Sequence, residues 1–366
     1  MKQHLPKILA LIPIGLFVTT QVQAANYTSV VDENGSGTWN DSDWQLNGSG
    51  PTTTPTAGNT YEYVGKGAGL GGDLGNSILR SPKVVSPGSD FAGFSLQMDA
   101  NTGIRLKSPG AGNIGAGDNT FSFGSGGLII NGGYLGNGDD FSATITSPVS
   151  VIANSAIYAG QSATEANTTT GTRNGFRNYI FNGSLSGSGN LTFGNAIMGS
   201  AVTGAHGGPV STANFAFKGS GVGYSGTIMV TSGWLQAGSA SAFGSASITL
   251  AGGTATTGVN GPAEFDATVS FADAGSLTIQ DANSILLLDN NLLFGGATID
   301  GDVIPDGTYT AAELNGMTGM ANVLDGGTGD TLTIGLVPEP SSIAIASLGG
   351  LGMAAFAWRR RRTLSL

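Results

Sequence analysis

The sequence contains no cysteine, which excludes disulfide bonds and thiolate metal sites. Charged side chains are also scarce, since Asp, Glu, Lys and Arg together make up 10% of the 366 residues. Lys and Glu, which favour helices at low cost, are rare between the two ends. A chain of this length without disulfides must be stabilised by an extensive apolar core and by backbone hydrogen bonds.

Basic residues are few and are concentrated at the two ends. Of the 14 Lys and Arg residues, two lie in the first seven residues and four in the last eight, whereas all 24 acidic residues lie between Asp32 and Glu339. Residues 25–340 therefore have a formal charge of −16. Such a surface disfavours nucleic acid and anionic membranes as partners.

Glycine is abundant, at 62 of 366 residues, which is more than twice the share of about 7% that is usual in proteins. Apolar and β-branched residues are plentiful as well, which argues against a disordered linker. Gly, Ser, Thr and Asn cluster between short apolar runs, the pattern of many short strands joined by tight turns.

The N-terminus has the three parts of a secretory signal peptide. Lys2 and Lys7 form a basic region, an apolar run follows, and Val22-Gln23-Ala24 is a small-residue cleavage site. We expect cleavage after Ala24, with Ala25 as an alternative. The predicted organisation is then a signal peptide at residues 1–24, a cap and early β region at 25–125, a β-helix repeat region at 126–336 and a tail at 337–366.

The tail contains a proline pair, an apolar segment and a run of arginines, in that order. Pro338 and Pro340 prevent a helix from running through them, so a helix can begin only after the sequence Val337-Pro338-Glu339-Pro340. The uncharged segment that begins at Ile343 and ends at Trp358 would rise about 24 Å, short of a ~30 Å hydrocarbon core. The positive-inside rule predicts a cytoplasmic anchor at Arg359, Arg360, Arg361 and Arg362.

These three parts together resemble the PEP-CTERM sorting signal of Gram-negative bacteria. The resemblance implies export by the secretion machinery, transient residence in the inner membrane, and removal of the helix by the membrane protease-transpeptidase exosortase. Proteins with this signal are associated with the outer surface and the exopolysaccharide matrix. The alternative is a permanent single-span anchor, which the short apolar segment disfavours.

A short pattern, apolar-Thr-apolar, recurs in the body and predicts a β-solenoid. It occurs at Leu191-Thr192-Phe193, Ile248-Thr249-Leu250, Leu277-Thr278-Ile279 and Leu332-Thr333-Ile334, at spacings near multiples of 28 residues. Period-two alternation places the apolar side chains inward and the threonine outward. Repetition of such a unit is typical of a solenoid, in which each turn buries its inward face against its neighbours.

The segment that begins with Tyr224-Ser225-Gly226-Thr227 and continues through Gly233 and Leu235 resembles the autotransporter-associated β-strand repeat. Met229 replaces a threonine of that pattern. The resemblance implies an all-β fold, a right-handed parallel β-helix, with the sorting tail in place of an outer-membrane barrel. We also expect Trp234 to point into the core or to stack on the adjacent turn.

Two tryptophans near the start, Trp39 and Trp44, have two interpretations. An aromatic pair between polar turn residues could form a carbohydrate platform, but a terminal repeat must shield the core. We therefore favour a cap that closes the end of the solenoid.

Enzymatic residues are sparse. Pectin-degrading β-helices resemble the chain at Asp139-Asp140, at Ala205-His206-Gly207 and at Arg105-Leu106-Lys107, but the order and spacing differ from theirs. The two acids of Asp139-Asp140 are expected to lie in a solvated turn, so we predict that the chain does not hydrolyse polysaccharides. Three weak metal or nucleotide motifs are more typical of solvated turns, so no metal or cofactor is expected. They lie at residues 325–330, at Asp300, Asp302 and Asp306, and at residues 67–72.

Three functions remain open from the sequence. The first is a structural or adhesive protein of the cell surface or matrix. The second is a polysaccharide-binding module that contacts exopolysaccharide or surface proteins, and the third is a polysaccharide-degrading enzyme.

Overall fold

Short strands separated by turns form almost all of the regular structure. The computed structural model describes residues 26–29, 38–64, 77–82, 87–107, 119–137, 142–159, 177–195, 213–252, 263–326 and 329–335. The signal peptide, Ala24, and the tail from Val337 to its arginines lie outside these residues. In chain order, the strands are β1 Asn26–Ser29, β2 Trp44–Leu46, β3 Thr52–Thr53, β4 Thr60–Tyr63, β5 Ser77–Arg80, β6 Ser95–Asp99, β7 Thr102–Leu106, β8 Asn119–Phe121, β9 Gly127–Asn131, β10 Tyr134–Asn137, β11 Ala143–Ile145, β12 Val149–Ala153, β13 Ser155–Ala159, β14 Arg177–Phe181, β15 Leu185–Gly187, β16 Leu191–Asn195, β17 Ala213–Phe217, β18 Gly223–Tyr224, β19 Thr227–Val230, β20 Gly233–Ala237, β21 Ser247–Leu250, β22 Ala263–Ala267, β23 Phe271–Ile279, β24 Ser284–Leu288, β25 Leu292–Ile299, β26 Asp302–Ile304, β27 Gly307–Tyr309, β28 Val323–Asp325 and β29 Leu332–Ile334, with one helix, α1 Ala311–Thr318.

The strands form three long sheets. Sheet A has the order β18-β15-β12-β9-β6-β4-β1-β2-β3, sheet B the order β27-β29-β25-β23-β21-β19-β16-β13-β10-β7-β5 with β26 beside β25, and sheet C the order β28-β24-β22-β20-β17-β14-β11-β8. From β6 to β20 the chain visits sheets A, B and C in turn, and each strand pairs in parallel with the strand one turn later. This coiling confirms a mostly β protein with the parallel stacking of a β-solenoid. The right-handed coiling stays a prediction.

The core runs along the inside of the stack as rows of in-register apolar side chains. One row in sheet B is formed by buried residues of nine successive strands, each in the register position of the next: Leu79, Ile104, Leu135, Ile157, Phe193, Val230, Leu250, Ile279 and Ile299. Successive strands are about 4.8 Å apart, so these side chains stack on one another along the axis.

The apolar-Thr-apolar pattern lies in sheet B at all four places, with the apolar residues buried and the threonine half-exposed. Leu191, Ile228, Ile248 and Leu277 are consecutive in register, so these turns are 37, 20 and 29 residues long. The predicted inward and outward faces are confirmed. The regular spacing is not, because turn lengths vary, and Leu332 pairs with Leu292 in another register.

The third side of the stack continues after sheet A ends at β18. The segment at residues 239–246 takes the place of a strand, since Gly221 N donates to Ser241 O (2.7 Å) and Ala272 N donates to Ala240 O (3.1 Å). The first half of β23 follows it, and a bulge between Asp273 and Ser276 separates this half from the part that belongs to sheet B. The core therefore remains enclosed up to the C-terminal turns.

The N-terminal end is closed by an aromatic cluster. Trp39 and Trp44 are both 0% exposed, and the ring of Trp39 packs edge-on against Phe91 and Phe123 at 6.4 and 5.3 Å. Trp44 donates its indole N–H to the carbonyl of Trp39 (3.0 Å). This burial favours the cap interpretation over a carbohydrate platform, because neither tryptophan ring is exposed.

The C-terminal end is closed by α1 and by two antiparallel strands, β26 and β27. Thr310 and Glu313 form a capping box, since Glu313 N donates to Thr310 Oγ1 (3.3 Å) and Thr310 N donates to Glu313 Oε2 (2.8 Å). These bonds satisfy N–H groups that are otherwise free at a helix start, so the helix reaches Thr318.

Trp234 is not part of the core, so the prediction that it points inward is wrong. Leu235 of the same strand faces inward and is buried, and strand alternation then turns Trp234 outward. Its side chain is half-buried on the outer face of sheet C, in register with Asn214 and Glu264 of the adjacent strands. The alternation of side chains along β20 decides the direction of this one.

Candidate functional site

A row of polar side chains crosses the outer face of sheet A, and we call it the polar row. Glu62 of β4 is in register with Gln97 of β6, and Asp99 of β6 is in register with Asn131 of β9. The intervening residues of these strands, such as Leu96, face the core, so the polar residues must face outward.

Hydrogen bonds join the four side chains across three strands. Gln97 Nε2 donates to Asp99 Oδ1 (2.9 Å) and to Glu62 Oε1 (3.3 Å). Asn131 Nδ2 donates to the same oxygen, Asp99 Oδ1, at 2.8 Å. Both N–H groups of Gln97 are thus used to hold carboxylates, and the row offers a ligand mainly acceptor oxygens.

Electrostatics couple the two acids of the polar row. Partial burial raises the pKa of Glu62 above its ordinary value, and the hydrogen bond and negative charge of Asp99 raise it further. A carboxyl that retains its proton more readily can donate one hydrogen bond while its second oxygen still accepts.

An open groove of about 790 Å³ runs beside the polar row at the corner where the chain leaves sheet A for sheet B. A bulge between Val151 and Ala153 shifts the register of β12 at this corner. Bulges commonly redirect side chains next to binding sites. The lining residues come from four successive turns: Val64, Asp99, Ala100, Asn131, Gly132, Ala153 and Asn154.

The lining of the groove suits a ligand with many hydroxyl or amine groups. Its polar members are a carboxylate and two amides, and the other side chains that line it are small and apolar. Oxygen acceptors pair with hydroxyl and ammonium donors, whereas they repel the carboxylates of acidic sugars.

Sheet B presents a second polar surface, a row of threonines. Thr192, Thr249, Thr278 and Thr298 occupy one outward column, and Met229 interrupts it. In the neighbouring column Ser276 Oγ donates to Ser247 Oγ at 3.2 Å. These hydroxyls repeat at the strand spacing of about 4.8 Å, so they offer many equivalent weak contacts.

Two acidic residues are buried away from the groove. Asp266, 2% exposed, accepts a hydrogen bond from Gln236 Nε2 (3.4 Å), and burial raises its pKa to about 7. Asp273, 0% exposed, accepts from Gly275 N (2.8 Å), and burial likewise raises its pKa to about 7. Asp273 Oδ2 is buried without a hydrogen-bond partner among the described residues. Each acid is thus a source of pH-dependent stability.

Charge is distributed unevenly along the body. The sequence has no Lys, Arg or His between residues 219 and 358, whereas acidic residues continue throughout this part up to Glu339. The part of the solenoid after Lys218, up to the end next to the tail, therefore has acidic but no basic side chains. Such an end has no basic residue with which to bind an anionic partner.

The residues suggested by resemblance to pectin-degrading enzymes are not assembled into a site in the described parts of the chain. Asp139, Asp140 and His206 lie outside the described residues. Arg105 and Lys107 are buried against the outer face of sheet B, not exposed along the groove.

The acidic turns do not form a metal site within the described residues, where no group of three or more potential ligands occurs. Asp300 and Gly301 have positive φ angles of 51° and 85°, and they join β25 to β26 as the turn of an antiparallel hairpin. Two successive positive φ angles are the signature of a type I′ turn, which favours Asp-Gly. Part of the motif at residues 325–330, and all of the glycine run at 67–72, lie outside the described chain.

The polar row was missed from the sequence. Tyr61-Glu62-Tyr63 and Leu96-Gln97-Met98 each alternate apolar and polar residues, and this alternation places Glu62 and Gln97 outward. The missing information was the register, because 35 residues separate these two side chains.

One comparison with known proteins identifies the tail. Residues 336–362 match the family model of the PEP-CTERM protein-sorting motif, while searches of curated proteins and of solved structures returned no match. The motif is that of exported, membrane- or surface-associated proteins processed by exosortase. The match does not extend to the repeat body. In the part of the chain that the structure describes, no helix has the length and hydropathy to cross a membrane, and the segment ending at Trp358 lies outside it.

Proposed function

We propose that this protein is a structural and adhesive component of the cell surface or extracellular matrix, delivered there by exosortase. The observation that supports this role is the position of the sorting motif directly after a stacked β body. A β-solenoid with rows of outward hydroxyls and amides can act as a scaffold without a catalytic centre. Many weak contacts along these rows together produce avidity.

The proposal includes a right-handed β-helix of autotransporter-type repeats. Residues of the repeat motif occupy structural positions that support the resemblance. Tyr224 is buried and donates its hydroxyl to Gly189 O (2.8 Å), one turn earlier. A Cβ on Gly226 would lie 2.1 Å from the same oxygen, so a larger residue would not fit. Tyrosine and glycine at these positions therefore hold successive turns together.

A second candidate function is polysaccharide binding, and the groove beside the polar row favours it. Asp99 accepts two amide hydrogen bonds and lines the groove, so its position is well defined. Donor-rich neutral or amine-bearing glycans complement this surface, whereas acidic glycans would meet the carboxylates and the charge of the body. We propose no hydrolysis, although Glu62 and Asp99 are the carboxylates to test.

The test is to incubate purified residues 25–337 with immobilised neutral, amine-bearing and acidic glycans and with the host's exopolysaccharide. The expected result is retention without release of reducing ends, strongest on amine-bearing chains and weakened by salt. Asp99→Asn should reduce this retention, whereas Asp302→Asn, a charge-matched change in the exposed β26, should not.

Release of reducing ends that is lost in Asp99→Asn, Glu62→Gln, Asp139→Asn or Asp140→Asn would overturn the scaffold proposal in favour of an enzyme. Retention that is unaffected by Asp99→Asn would refute the groove as the binding site.

A further inference from the structure

The last strand of the body is held on both sides. β29 pairs in parallel with β25 (Leu332 opposite Leu292) and antiparallel with β27 (Thr333 opposite Thr308). Leu332 and Ile334 are buried in the core. Beyond the strand itself, Gly335 N donates to Phe294 O (3.0 Å), so the ladder extends through residue 335.

The sorting motif begins with no spacer after this ladder. Among the described residues, which end at Gly335, the ladder includes the Gly335 N–H, and the family match begins at residue 336. Pro338 and Pro340 are three and five residues further along, so even fully extended chain separates them from the body by only about 10 and 17 Å. The folded body would therefore sit next to any protease that binds these prolines.

Proteases recognise extended substrate backbone, commonly by adding it as a strand to an edge of their own. The backbone of β29 cannot take part in such pairing while β25 and β27 occupy both of its edges. Chain that is paired and buried is cut only after local opening.

We propose that β29 must detach from β25 and β27 before exosortase cuts the tail, so that the stability of this C-terminal turn controls the rate of sorting. The proposal rests on exosortase processing of this chain. It does not depend on whether the released body is a scaffold or a glycan binder. The protease then binds the detached last turn of the solenoid, and this turn pairs with β25 and β27 again after cleavage.

A disulfide between β27 and β29 tests the proposal in the full-length chain, which has no other cysteine. Thr308 Oγ1 and Thr333 Oγ1 are 3.0 Å apart, a separation compatible with a disulfide after Thr308→Cys and Thr333→Cys. The matched control joins β21 to β23 by Ser247→Cys and Ser276→Cys, whose hydroxyls are 3.2 Å apart in the same sheet. A third variant adds a flexible linker of about twelve residues after Gly335, long enough to bypass the folded edge.

Processing is followed in cells that contain exosortase, by pulse labelling and by the mass of the exported chain. We expect the β27–β29 disulfide to slow processing about tenfold or more, since cutting then depends on the open state. Reduction, or the linker combined with the disulfide, should restore the normal rate, and the control disulfide should have no effect.

Normal processing of the chain with the β27–β29 disulfide would overturn the proposal. So would a block that the linker does not relieve, because the block would then have a cause other than access to β29. Glycan retention of the purified body is measured separately, so the proposed function can fail or succeed independently of this result.

Discussion

At pH 8 the body is expected to unfold at a temperature several degrees lower than at pH 5, and replacing Asp266 and Asp273 with asparagine is expected to remove most of this difference. Both carboxyls are buried, and burial raises the pKa of each from 3.8 to about 7. In the unfolded chain they ionise near their ordinary value.

The direction of this pH effect follows from the number of protons that the folded and unfolded states bind. The folded state holds a proton on each group up to about pH 7, whereas the unfolded state loses it near pH 4, so the stabilisation is complete below that value and is lost as the pH rises through 7. Between pH 5 and pH 8 the loss is on the order of 2 to 3 kcal/mol for each carboxyl.

Thermal unfolding of residues 25–337 across this pH range measures the effect. The double variant should be more stable than the natural chain at pH 8 and should show a flatter profile. Asp302→Asn, on an exposed strand, is the control and should leave the profile unchanged. If the double variant keeps the full pH dependence, the two buried acids are not its cause.

Trp39→Ala is expected to destabilise the body by about 3 to 5 kcal/mol, the usual cost of removing a large aromatic side chain from a core. The ring of Trp39 contacts Phe91, Phe121 and Phe123 at the N-terminal end of the stack. In a solenoid the terminal turn protects all later ones, so the loss should appear first as rapid hydrogen exchange in β4 and β6.

Trp234→Ala is the matched control, because it removes the same side chain from the outer face. We expect a loss of about 1 kcal/mol, as for other partly exposed positions. Urea unfolding of both variants compares the two sites. Equal losses, or a larger loss for Trp234→Ala, would contradict the assignment of Trp39 to the core and Trp234 to the surface.

Local alternation in the sequence was sufficient to predict many strands and their faces. Leu191-Thr192-Phe193, Ile248-Thr249-Leu250 and Leu277-Thr278-Ile279 lie within strands, and the first and last residues of each triplet are buried. A period of two decides the direction of each side chain without reference to the rest of the fold.

Features that depend on register between turns could not be predicted. Turn lengths vary between 20 and 40 residues, so no constant spacing reveals that Glu62 lies beside Gln97, or that Leu332 pairs with Leu292. The start of α1 depends instead on a local signal, the capping box of Thr310 and Glu313, which can be read from the sequence.

The sorting tail was recognisable because its chemistry is local. Two prolines, a short apolar segment and four arginines follow one another within thirty residues, and the family match covers the same stretch. The role of the body has no comparable local signal, since the polar row and the groove are assembled from residues of several turns.

The intact mass of the protein recovered from the cell surface is the most direct test of the account. If exosortase delivers a folded solenoid, this mass should correspond to a chain that begins near Ala25 and ends at or near residues 338–342. A mass that still includes Trp358 and the four arginines would contradict the account and identify the tail as a permanent anchor.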